Sequence, residues 1–148
     1  MKTKRPRNLK QCRRGAALVE LAVCLPVLVM IILGIIEFGR GMMVSELLND
    51  SARVGARQAI LAGSTNAAVT QTITTFMQST NVNSQAITVS ITVTPAAGNP
   101  DPANQIANAH TGDLCLIQVQ VPFNQVSYIP GTYLVGKTLT GTCGMLHE

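Results

Sequence analysis

Arg13-Arg14-Gly15-Ala16-Ala17-Leu18-Val19-Glu20 joins a basic leader to an apolar run, and the reading of this junction decides the fold. Lys2, Lys4, Arg5, Arg7, Lys10, Arg13 and Arg14 precede it with no acidic residue among them, and Leu21 to Ile36 carries no charge before Glu37 closes the run. Counted from Ala16, 21 residues at about 1.5 Å each give roughly 32 Å, the thickness of one hydrocarbon core. The Lys/Arg bias toward the cytoplasmic side places the leader inside and the remainder outside. The chain thus reads as a single-pass membrane protein, its N-terminus cytoplasmic and its C-terminal part on the far side of the membrane.

Glu20 conflicts with a plain span, because a carboxylate in lipid costs about 2.5 to 3.5 kcal/mol on insertion scales. Cleavage between Gly15 and Ala16 would supply an offsetting charge. The new amine would stand one helical turn from Glu20, in this subunit or a neighbour, and the positive helix end would favour the carboxylate too. A secretory signal peptide is the less consistent reading, since no Ala-x-Ala site follows the run and Glu20 would fall within its apolar region. An uncleaved signal anchor gives the same topology but leaves Glu20 unpaired.

The net charge of +4 does not argue for nucleic-acid binding. The leader holds seven of the 11 Lys and Arg residues, so residues 16–148 carry four bases against seven acids. The basic balance belongs to the leader, and the remainder is mildly acidic.

Beyond Ile36 a helical period continues to about Ala62, with Gly63-Ser64 as its stop. Val44, Leu48, Ala52, Gly55, Ala59 and Ala62 share one face, and Glu46, Asp50, Arg53 and Arg57 lie opposite. Asp50 and Arg53 have the spacing and order of a weak ion pair. The small residues permit close approach, either to the chain's own sheet or to a neighbouring helix. Val69, Ile73, Phe76 and Met77 then mark a second, shorter helix. From Ala86 the period becomes two, with Ile87, Val89, Ile91 and Val93 alternating with Thr88, Ser90, Thr92 and Thr94. The Pro- and Gly-containing segment from Pro95 to Asp113 reads as an exposed loop and a candidate contact surface. Cys115, Ile117, Val119 and Val121 share a face of a second strand that ends at Pro122. Leu139, Gly141, Cys143 and Met145 share a face of a third, from about Lys137 to Leu146. The fold class is α+β: a long N-terminal helix whose second half covers a small antiparallel sheet.

Four segments resemble the TadE-like proteins of tight-adherence (Flp) pilus systems: Arg13 to Glu20, Leu25-Pro26, Leu33-Gly34-Ile35-Ile36-Glu37-Phe38-Gly39-Arg40, and Ala52-Arg53-Val54-Gly55-Ala56-Arg57. The junction is also similar to the type IV prepilin signature, in which a basic leader ending in Gly precedes a Glu at the fifth mature position. This sequence departs in having Leu21 where many Flp-type pilins have an aromatic, and Ala16 where many type IV pilins have Phe. The resemblance implies processing at Gly15-Ala16 by a prepilin peptidase and a pilin-like fold. It also implies a role as a minor pilin or pseudopilin alongside other pilins and Tad secretion components. The organisation is then a leader at 1–15, a transmembrane helix at 16–36, an amphipathic extension at 37–63 and an exported α+β domain at 64–148. The competing function is an uncleaved single-pass envelope protein that binds a partner without polymerising.

Cys12 falls in the leader and Cys24 in the apolar segment. Cys115 and Cys143 fall on core-facing sides of exported strands, so a disulfide between them is expected, closing 27 intervening residues and stabilising by roughly 3 to 4 kcal/mol on the chain-entropy account. No Cys-x-x-Cys motif supports a redox pair. His110 lies in the Pro/Asn loop, and His147 with Glu148 reads as a solvated tail. No phosphate-binding glycine loop or nucleophile elbow is present. The expectation is a non-enzyme with no cofactor, no metal and no small-molecule substrate.

Overall fold

The computed structural model describes residues 9–80, 82, 86–127 and 136–148, with side chains from Gly15 onward. The chain divides into two units, Met1–Ile36 and Glu37–Glu148. In the first, the described residues are helical throughout, as part of α1 (Leu9–Ala59). Their large apolar side chains are uncovered: Leu18, Val23, Met30 and Ile35 each expose 63–69% of their surface. Pro26 lies inside this helix. It removes one backbone donor, a defect that membrane helices tolerate where neighbouring groups re-satisfy the ladder.

The second unit contains the rest of α1, α2 (Asn66–Ser79) and three strands, β1 (Thr88–Thr94), β2 (Leu114–Pro122) and β3 (Thr138–Leu146). The strands form an antiparallel sheet in the order β1-β2-β3. Ile91 stands opposite Ile117 and Val119 opposite Gly141. With a period of two, this register puts Cys115, Ile117, Val119 and Val121 on one face, where all four are fully buried. The helices cover that face. A Cβ added at Gly141 would run into the backbone of Leu48 and Asn49, so α1 lies directly against β3. A Cβ at Gly55 would meet Ile73 of α2 at 2.6 Å and Ile117 of β2 at 3.4 Å. The small-residue face of α1 is therefore the docking face for the chain's own sheet and for α2. Val44, Leu48, Ser51, Ala52, Ala56 and Ala59 are all fully buried along it.

α1 ends three residues earlier than its period suggests, at Ala59, and Ala62 is exposed. Gly63 has φ of 76°, the left-handed conformation that closes the turn. Asp50 and Arg53 pair at 3.7 Å on the exposed side. α2 starts at a Thr65 cap whose Oγ1 accepts from the Ala68 N–H at 3.3 Å. Val69, Ile73 and Met77 form its buried stripe.

The segment Pro95 to Asp113 is the largely exposed loop that its turn residues indicate. It is also pinned to the sheet and to α2, with Pro102, Ile106 and Asp113 buried. Asn104 Oδ1 accepts from the Val93 N–H of β1 at 3.0 Å. Asn66 of α2 donates to the Asn104 carbonyl at 2.9 Å and accepts from the Ile106 N–H at 2.9 Å. Turn-forming residues mark this loop in sequence, but their side chains also supply its anchors.

Candidate functional site

Gly15, Ala16 and Glu20 all lie in α1 and are exposed. Helical geometry puts Ala16 and Glu20 one turn apart on one face. Around a built Cβ at Gly15 no described atom lies within 4 Å. Magnitudes favour an apolar solvent for the segment that follows. Thirteen large apolar side chains between Leu18 and Ile36 are exposed, and at roughly 1.5–3 kcal/mol each their removal from water outweighs the few kcal/mol charged to one carboxylate. α1 is long and apolar enough to cross a membrane, with a mean hydropathy of 2.8 in its best window.

The next acid along the helix is treated differently. Glu37 is only 1% exposed, and Ser127 Oγ–H donates to its Oε2 at 2.8 Å. One turn on, Arg40 Nε–H donates to the Val126 carbonyl at 3.1 Å. Two charged side chains of α1 thus hold the Val126-Ser127 segment, which follows a short 3-10 turn at Phe123–Gln125. A buried carboxylate needs such donors, because leaving it without them costs more than a neutral orphan would. In sequence, Glu37 closes the apolar run and belongs to the Leu33 to Arg40 segment of the TadE-like resemblance, neither of which indicates its burial. The nearby acid and base in Glu37-Phe38-Gly39-Arg40 were visible, but their partners lie 86 and 90 residues away.

Residues 15–57 match the family model of TadE-like protein. This stretch of the chain is TadE-like. The TadE-like segment begins at Gly15 and takes in Glu20, Glu37, Arg40 and the docking face of α1 to Arg57, but stops before α2 and the sheet. No curated protein and no solved structure is significantly similar to the chain.

Outside the TadE-like segment, Asp113 is a strongly perturbed carboxylate among the described residues. Asp113 accepts from the His110 and Ala96 N–H groups, each at 2.8 Å, and from Asn99 Nδ2 at 2.7 Å. The His110 and Ala96 backbone donors, then Asn99, hold its pKa down to about 2 against the opposing effect of burial. These groups all donate to the carboxylate, so Asp113 acts as the clasp of the 95–113 loop. His110 is exposed, and His147 Nδ1 lies 3.1 Å from the Glu148 carbonyl oxygen. Among the described residues no three His, Cys, Asp or Glu side chains converge on a possible metal position.

The disulfide expected between Cys115 and Cys143 is not formed, and both are free thiols. They occupy adjacent strands and the same face, as their alternation indicates, but the register sets Cys115 against Met145 and Cys143 against Ile117. They are diagonal neighbours. Such positions are about 7–8 Å apart at Cα, beyond the roughly 4.4–6.8 Å that a disulfide spans. Burial, and secondarily the Asp113 charge, raises the Cys115 pKa. Cys24 is free and exposed on the apolar stretch.

Proposed function

We propose that the chain is a non-catalytic minor pilin or pseudopilin of a tight-adherence (Flp) type IV pilus assembly system, supporting pilus biogenesis and surface adherence. One observation carries this reading: the TadE-like match starts at Gly15, the residue after which cleavage would place Glu20 fifth in the mature chain. A prepilin peptidase removes residues 1–15, the exposed apolar part of α1 holds the protein in the inner membrane, and residues 37–148 stand on the extracytoplasmic side. Within the membrane, Glu20 pairs with the amine of Ala16, in its own or a neighbouring subunit, which offsets the cost of a carboxylate in lipid. Other pilins and Tad secretion components are the partners of the assembled system.

Replacement of the chromosomal copy with Glu20→Ala tests the reading. The variant should be cleaved and reach the membrane normally, while piliation and adherence fall sharply. Wild-type pili and adherence would overturn the pairing. A chain that stays uncleaved and monomeric in mild detergent while remaining functional would point instead to an envelope-anchored binding protein.

A further inference from the structure

α1 carries a second apolar surface, on the exported side of Glu37. Phe38 is 56% exposed, Met42 71% and Met43 46%, and Gly39 beside them is also exposed. The charged side chains at this level are turned elsewhere. Glu37 is buried against Ser127, and half-buried Arg40 reaches the Val126 carbonyl. The first outward charge on the helix after them is Glu46, followed by Asp50. We infer that, in the membrane-resident chain, the surface formed by Phe38, Met42 and Met43 lies in the outer lipid interface.

The inference rests on the reading of residues 16–36 as a membrane span. Dimensions support lipid as the occupant. From Glu37 the helix rises about 7.5 Å to Met42 and about 9 Å to Met43, so an interfacial layer about 5–8 Å thick takes in Phe38 and Met42 and has Met43 at its outer edge. The surface also follows directly in sequence on Ile35 and Ile36, which are exposed, and no charged side chain separates them on that side. Flexible Met side chains and a Phe ring suit an irregular, partly hydrated boundary. With Glu37 and Arg40 engaged by the 126–127 segment, the helix can be apolar on one side and polar on the other at one depth.

The chain contains no tryptophan, so single substitutions give clean reporters. Full-length Phe38→Trp and Met42→Trp proteins would be reconstituted at high lipid-to-protein ratio into phosphatidylcholine/phosphatidylglycerol vesicles, with and without brominated acyl chains. Ile31→Trp serves as the reporter of the span and Leu61→Trp as the reporter of an exposed exported site. The expected result is blue-shifted emission and marked loss of intensity in brominated vesicles for Phe38→Trp, Met42→Trp and Ile31→Trp, with Leu61→Trp unaffected. Quenching of Ile31→Trp alone would overturn the inference and leave the span intact. In that outcome, red emission at positions 38 and 42 would mean water, and unquenched blue emission a protein partner such as a second copy of this chain. An unquenched Ile31→Trp would overturn the span and the inference together.

Discussion

Residues 15–36 and 37–59 belong to one helix but present their apolar side chains in opposite ways. The first stretch exposes large Leu, Val, Ile and Met residues, whereas the second fully buries Val44, Leu48, Ala52, Ala56 and Ala59. Hydrophobicity does not separate them, since the exposed stretch is the more apolar. What the rest of the sequence supplies as a neighbour does: the buried stripe of the second stretch faces α2 and the sheet, while Phe38, Met42 and Met43 elsewhere on it stay exposed. Ala, Ser and Gly in the second stretch let the backbone of β3 approach at Gly141, and α2 closes the other flank at Gly55. In the first stretch the large side chains meet no such neighbour and stay exposed.

Paired substitutions should sharpen this contrast. The largest effect is expected for Ile117→Ala, which empties a fully buried position beneath Gly55 and should cost about 2–5 kcal/mol in urea unfolding of the detergent-solubilised chain. Ile31→Ala should leave that unfolding transition where it is, and an equal loss from both would erase the distinction. Next comes Gly141→Ala, expected to cost about 1–3 kcal/mol because the new Cβ meets the α1 backbone. Gly39→Ala, with nothing within 4 Å, should be neutral or stabilising by up to about 1 kcal/mol. Ser127→Ala should cost about 1.5 kcal/mol by removing a charge-assisted hydrogen bond from Glu37, and no change would show that the contact is dispensable.

Acid should act on the Glu37–Glu148 unit through Asp113. Its folded pKa is depressed, so its contribution is complete above the unfolded value near 4 and is lost as pH falls through about 2. Thermal unfolding of wild type should therefore shift downward across that window, and Asp113→Asn should remove this part of the shift. The smallest effect is that of reductant. Because Cys115 and Cys143 are free, dithiothreitol should not move the melting temperature, whereas a clear decrease would reveal a bond between them.

Much of this architecture was legible because it is periodic. The change from 3.6 to two residues per repeat separated helices from strands, and the stripe from Val44 to Ala59 identified the docking face. Ala62 was misplaced because Gly63 ends the helix through a turn that a wheel continues past. The cysteines were assigned to the correct face, but pairing depends on register, and an offset of two residues preserves the face while separating the sulfurs. The roles of Glu37, Asn104 and Asp113 were hidden for another reason. Each side chain bonds to a segment distant in sequence or to backbone groups brought near by loop closure, and neither kind of contact leaves a periodic signal. At the N-terminal junction, by contrast, spacing along a single helix was sufficient to relate Ala16 to Glu20.

On the proposed function, α1 begins in its working form at a processed N-terminus paired with a membrane-embedded acid, and ends as the docking helix of the Glu37–Glu148 unit. Intact-mass analysis and N-terminal sequencing of the protein recovered from its host membrane test this most directly. The account predicts a mature chain starting at Ala16 and the same protein unprocessed when Gly15 is replaced by Leu. Functional protein that retains Met1 to Gly15 would contradict it.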